Sequence, residues 1–120
     1  MSKRILMLED SEDDAMLLAR QIKKSHPDWY CERVWEMDGY RRALEAGGWS
    51  VVLSDYKLPG FSGLAALWTA RELAPDLPVI IVTGAVGPES EAALCHAGAA
   101  AIVEKGRLAD LVRQIEILFG

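Results

Sequence analysis

Short uninterrupted apolar runs alternate along the chain with longer stretches in which apolar residues recur every three or four positions. Ile5-Leu6-Met7-Leu8 is continuous, the mark of a strand covered on both faces. Ser11 follows as an N-cap, with Asp14 three residues on as a weaker form of the capping box. Ala15, Leu18, Ala19 and Ile22 then form the i, i+3, i+4, i+7 stripe of a helix that ends near His26-Pro27. A second strand is expected over residues 30–35. The short helix after it carries Tyr40, Ala43 and Leu44 on one face and stops at Gly47-Gly48.

Val51-Val52-Leu53 reads as a third strand ending at Ser54-Asp55, and Leu58-Pro59-Gly60 breaks the chain before a helix with Leu64, Leu67 and Ala70. Pro78 introduces a fourth strand, Val79-Ile80-Ile81-Val82, which stops at Thr83-Gly84. Pro88 suits the first turn of the next helix and Gly98 its end. Ala101-Ile102-Val103 is a short fifth strand ending at Glu104-Lys105. Leu108, Leu111, Val112, Ile115 and Leu118 mark a last helix. Strands and helices in strict alternation predict an α/β fold, with a parallel sheet covered by helices on both faces.

Composition adds bounds. The chain has 120 residues, 51% hydrophobic and 26% charged, without repeats, low-complexity stretches or linkers, so one domain over residues 1–120 is expected. A formal charge of −5 argues against direct binding to nucleic acid or to anionic lipid. Lys3-Arg4 leads into only four apolar residues before Glu9, which is no targeting segment, and no apolar run approaches the ~20 residues of a membrane span. The expectation is a soluble cytoplasmic protein. Cys31 and Cys95 lie far apart in apolar settings, without a CxxC, and read as buried reduced thiols. Trp35 and Trp49 border strands and are expected in the core or at its rim; Trp68, beside Leu64, is expected to be partly exposed.

In an open parallel sheet, ligands bind beyond the carboxyl ends of the strands. Strand one ends in Glu9-Asp10, strand three in Asp55, strand four in Thr83 and strand five in Lys105; strand two ends without an obvious reactive group. The wider acidic run of Glu9, Asp10, Glu12, Asp13 and Asp14 reads by itself as a solvated helix start. Glu9, Asp10 and Asp55 at one sheet edge are different: they raise one another's pKa unless a cation sits among them, and Mg²⁺ (or Mn²⁺) suits a few carboxylate oxygens. A carboxylate facing such a cation can accept a phosphoryl group, a reaction that needs positioning and charge neutralisation above all. Lys105 supplies neutralisation from the other side, and the Thr83 hydroxyl a hydrogen bond.

Leu8-Glu9-Asp10, Ser54-Asp55-Tyr56-Lys57-Leu58-Pro59-Gly60, Ser62-Gly63-Leu64, Val82-Thr83-Gly84 and Val103-Glu104-Lys105 resemble, in order and spacing, the motifs of the response regulator receiver (CheY-like) domain of two-component signal transduction. The resemblance covers essentially the whole chain. It implies a flavodoxin-like, doubly wound, five-stranded parallel sheet of order 2-1-3-4-5 with five helices. Asp55 would be the phosphoacceptor. Asp10 would hold Mg²⁺ directly, Glu9 mostly through water, and the Lys57 backbone carbonyl would complete the protein ligands. Thr83 would contact the phosphoryl oxygens and relay the switch, and Lys105 would pair with the phosphate. The donor would be a phosphohistidine on a histidine kinase or histidine phosphotransfer protein. The exposed apolar pair Met16 and Leu17 on the first helix would help to dock it. The signal would pass to a downstream output domain or protein. Such a domain is no enzyme beyond its own aspartyl phosphorylation and dephosphorylation.

The chain departs from the family pattern at two positions. Ile102 stands where receivers commonly carry an aromatic, and Gly106 follows the lysine where a cis proline is usual. A non-proline cis bond costs ~2.5–4 kcal/mol, so a trans Lys105–Gly106 peptide is expected. Both departures keep open a pseudo-receiver that acts only as a phosphorylation-independent interaction module. A phosphohydrolase with its nucleophile after strand one fits less well, since Asp10-Ser11-Glu12 is a poor Asp-x-Asp. His26 and His96 read as exposed and remote from the site. The sequence stops at Phe119-Gly120, near the expected end of the last helix, which leaves both a stand-alone receiver and a piece of a longer chain open.

Overall fold

The computed structural model describes residues 2–84 and 86–119. In chain order the elements are β1 (Arg4–Leu8), α1 (Glu12–Ser25), β2 (Tyr30–Val34), α2 (Met37–Ala46), β3 (Val51–Asp55), β4 (Lys57–Leu58), β5 (Phe61–Ser62), α3 (Gly63–Leu73), β6 (Val79–Thr83), α4 (Pro88–His96), β7 (Ala101–Glu104) and α5 (Leu108–Phe119). The five longer strands pair in parallel in the order β2-β1-β3-β6-β7. That is the expected 2-1-3-4-5 once the hairpin strands β4 and β5 are set aside.

Alternate residues of the buried strands supply two cores, as the period of two along a strand requires. Ile5, Met7, Leu53, Ile80 and Val82 pack with Ala15, Leu18 and Ile22 of α1 and Leu111, Val112 and Ile115 of α5. Leu6, Leu8, Val52, Val79 and Ile81 face the other way, onto Tyr40 and Leu44 of α2, Ala66, Leu67 and Ala70 of α3 and Leu94 of α4. The Tyr40 hydroxyl is buried there and donates to the Ala66 carbonyl at 2.8 Å, which ties α2 to α3.

Ser11 caps α1, its Oγ accepting from the Asp14 amide at 3.2 Å. The segment after Asp55 is a small antiparallel hairpin, Lys57 opposite Ser62 and Leu58 opposite Phe61, where the sequence showed only a chain break. Gly60 turns it at φ 83°, and Gly63 then lies so close to Asp55 and Tyr56 that a Cβ would sit 3.1 Å from the Tyr56 Cα.

Three expectations fail. β2 ends at Val34, so Trp35 is past the strand and 54% exposed rather than packed in the core. Cys95 is exposed, because α4 buries only Leu94; Cys31 is half-buried. His26 is half-buried, stacked on the buried Trp29 at 3.6 Å between ring centroids and 2.7 Å from Glu116. Trp68 is 60% exposed, in keeping with the partial exposure expected of it. Trp49 does form the core rim, its indole N–H donating to the Ala43 carbonyl at 2.8 Å. No cis peptide occurs among the described residues, so Lys105–Gly106 is trans as expected. No helix among them is long and apolar enough to cross a membrane.

Candidate functional site

Strand register brings the site together. Leu8 lies opposite Ser54, so Glu9 and Asp55 leave neighbouring strands side by side. Asp55 in turn lies opposite Val82, and Thr83 opposite Glu104, which delivers Thr83 and Lys105 to the same edge. The Lys105 amide continues the ladder by donating to the Thr83 carbonyl at 2.8 Å. Glu9 extends β1 in the same manner, its amide donating to Val34 at 3.0 Å, and so is drawn down to 2% exposure. Asp10, the next residue, is exposed, and Asp55 is half-buried.

Ligand oxygens of Glu9, Asp10 and Asp55 lie within 4.8 Å of one another. The Lys105 Nζ stands 3.2 Å from Glu9 Oε1, 3.2 Å from Asp55 Oδ2 and 3.3 Å from Asp14 Oδ2. Burial pushes the Glu9 carboxyl up to about 8, reinforced by a hydrogen bond with Asp55 and by its charge; Lys105 opposes the rise without cancelling it. For Lys105 itself burial acts downward, but the carboxylates of Glu9 and Asp55 and their hydrogen bonds outweigh it and raise its pKa. The ammonium is therefore charged throughout the physiological range. Glu9 Oε2 is buried and has no hydrogen-bond partner among the described residues. A buried carboxylate oxygen left so is costly unless a cation or a proton meets it. The donor set, all oxygen and all acidic, is that of a hard divalent cation.

The model of the response regulator receiver domain matches residues 5–116. The chain belongs to that family. This receiver is 30% identical over 120 residues to the response regulator receiver protein CpdR of Brucella abortus, an alignment covering 95% of this chain and 94% of CpdR. It is 39% identical over 70 residues to the response regulator GacA of Pseudomonas viridiflava, covering 58% of this chain and only 33% of GacA. Among solved structures, a CheY-like receiver domain from Methanospirillum hungatei superposes with a TM-score of 0.88 at 26% identity, over 99% of this chain and 95% of that one. A Burkholderia pseudomallei response regulator, described with a phosphorylated aspartic acid, a calcium ion and citrate, shares the fold at a TM-score of 0.83 and 20% identity, over 94% of this chain and 66% of its own.

The other residues singled out in the receiver's sequence sit as follows. Thr83 is 4% exposed at the end of β6. Ile102 is half-buried, and it lines one cavity together with Thr83, Val86, Glu91 and Glu104. Lys57 is two residues beyond Asp55 in β4, its side chain exposed. Met16 and Leu17 are exposed on α1 at 47% and 52%, and Leu17 borders the pocket formed by Glu9, Asp14, Asp55 and Lys105.

Two residues escaped the sequence reading. Arg33, from the strand that had shown no reactive group, donates from Nε to the Glu9 carbonyl at 2.9 Å and from Nη2 to the Asp10 carbonyl at 2.8 Å. Asp14, read as part of a helix cap, places its carboxylate on Lys105. An arginine beside the last apolar residue of a strand that borders β1 was the available signal for the first. For Asp14 the sequence offered only its place three residues after the Ser11 cap, which says nothing of Lys105.

Proposed function

We propose that this receiver accepts a phosphoryl group on Asp55 from a phosphohistidine in a reaction that requires a divalent cation, and passes the change to an output partner. The observation that carries the proposal is the Asp55 carboxylate, held 3.2 Å from a charged lysine and grouped with Glu9 and Asp10.

Glu9, Asp10 and Asp55 fit a Mg²⁺ ion, as the partnerless Glu9 Oε2 indicates, and the Lys57 backbone carbonyl is the family's further ligand. When bound, the ion offsets the charge of the carboxylates and of the transferring phosphoryl oxygens. An Asp55 oxygen forms the new P–O bond as the P–N bond of the phosphohistidine breaks. The imidazole nitrogen keeps the electron pair and then takes a proton. Lys105 stabilises charge on the phosphoryl group without entering a covalent bond, and Thr83 donates to the same oxygens. The donor is a histidine kinase or histidine phosphotransfer protein, for which Met16 and Leu17 give apolar contact next to the site.

With Ile102 in place of an aromatic and Lys105–Gly106 trans, the face of α4, β7 and α5 switches by loop and helix movement rather than by a swinging ring. The described phosphoaspartate and calcium ion of the Burkholderia fold neighbour are of the kind of chemistry proposed.

Incubation with acetyl phosphate and Mg²⁺ tests the reading. One stoichiometric acyl phosphate supports it. No modification under any donor or cation condition favours a pseudo-receiver, and sustained turnover of donor to free phosphate favours a hydrolase.

A further inference from the structure

The Lys105 ammonium has three N–H groups, and three carboxylates take them: Glu9, Asp55 and Asp14. Two of these acids stand at the sheet edge as strand register demands. Asp14 does not. It belongs to the first turn of α1, where Glu12 and Asp13 point to solvent and need nothing beyond the helix N-terminus to favour them. Asp14 is turned inward instead, its backbone fixed by the Ser11 cap and its side chain 44% exposed. On one wall of the pocket it faces Lys105, with Leu17, Leu18, Val82 and Leu108 around them.

The consequence is competition. A lysine whose donors are all in use cannot serve a phosphoryl group without releasing an acceptor. Glu9 is buried and Asp55 is the bond-forming residue, whereas Asp14 is the more exposed of the three and can turn out to water.

We infer that Asp14 is a positioning residue that holds Lys105 in the resting pocket and competes with the phosphoryl group for it, thereby restraining phosphorylation of Asp55. The inference rests on Asp55 being the phosphoacceptor. In the transfer from acetyl phosphate, an Asp55 oxygen forms a bond to phosphorus, the P–O bond to the acetyl group breaks, and acetate leaves with the electron pair. Asp14 enters no bond and acts through Lys105 alone.

The test is the initial rate of Asp55 phosphorylation by acetyl phosphate with saturating Mg²⁺, in the wild type and in Asp14→Asn, Asp14→Glu and Asp13→Asn. Asp14→Asn is expected to react roughly three- to tenfold faster at low salt, the gain shrinking as ionic strength rises. Asp14→Glu, which keeps the charge, and Asp13→Asn, which removes an exposed one, should both stay within about twofold of the wild type. A Lys105→Ala background should erase the gain, since the restraint works through that ammonium. An unchanged or slower Asp14→Asn, or an equal gain in Asp13→Asn, overturns the inference while leaving the phosphoacceptor reading intact. A wild type that takes up no phosphoryl group at Asp55 overturns that reading itself.

Discussion

The Arg33 guanidinium holds the chain just beyond β1: its Nη2 lies 2.8 Å from the Asp10 carbonyl, while its Nε takes the Glu9 carbonyl at 2.9 Å. Two consecutive carbonyls are thus fixed by one planar fork, and with them the direction in which both acidic side chains leave the backbone. Trp35, itself exposed, lies 4.9 Å over the same guanidinium.

Arg33→Ala should therefore weaken Mg²⁺ binding by roughly tenfold, the usual cost of losing a group that orients metal ligands. Arg33→Lys can replace one of the two bonds and should recover part of that loss. Calorimetric titration with Mg²⁺ checks this, alongside a melting curve to show that the variants are folded. Equal affinity in Arg33→Ala and the wild type would show that the carboxylates need no such support.

Glu9 sets a pH dependence. Its pKa in the folded, metal-free protein is about 8, against an ordinary 4.5. The folded state therefore holds a proton that the unfolded chain releases over that interval. The associated stability is complete below about pH 4.5 and is lost as pH rises through about 8. In chelator, the melting temperature should fall between about pH 5 and 9, and Glu9→Gln should flatten the slope. Mg²⁺ competes with that proton, so its affinity should rise over the same window. A metal-free melting temperature that climbs across this range would contradict the assignment.

Thr83 and Lys105 act on phosphoryl oxygens and form no bond. Thr83→Ala and Lys105→Ala should still be phosphorylated, at rates lowered by about two to three orders of magnitude, as for loss of one charge-stabilising donor. Their amide spectra, however, should no longer show the full shift of the α4–β7–α5 face on phosphorylation. Complete loss of phosphorylation in a folded Thr83→Ala protein would give that hydroxyl a larger part than proposed.

Away from the site, Tyr40→Phe removes a buried donor and leaves the Ala66 carbonyl without it. The expected cost is about 1–3 kcal/mol in denaturant unfolding with little change in phosphorylation. A neutral result would mean that water replaces the bond.

The sheet was legible because β1, β3 and β6 are covered on both faces, which forces continuous runs such as Ile5-Leu6-Met7-Leu8 and Val79-Ile80-Ile81-Val82. Once a parallel sheet is granted, Glu9, Asp10, Asp55, Thr83 and Lys105 gather at one edge by topology alone. The hairpin was not legible, since two-residue strands are too short to show any period. Trp35 misled because β2 is an edge strand, and ending it one residue earlier turned an expected core ring into an exposed one. Arg33 could be placed only by knowing that β2 lies against β1, and Asp14 only by seeing which way one of three adjacent acids turns.

The central claim is that Asp55 carries the phosphoryl group. Borohydride reduces an aspartyl phosphate to homoserine, which peptide mass spectrometry can place within the sequence. After incubation with acetyl phosphate and Mg²⁺, homoserine is expected at position 55 alone, and neither Asp55→Asn nor chelator-treated protein should yield any. Homoserine at Asp10 or Asp14 instead, or an undiminished yield of phosphoprotein from Asp55→Asn, would contradict the account.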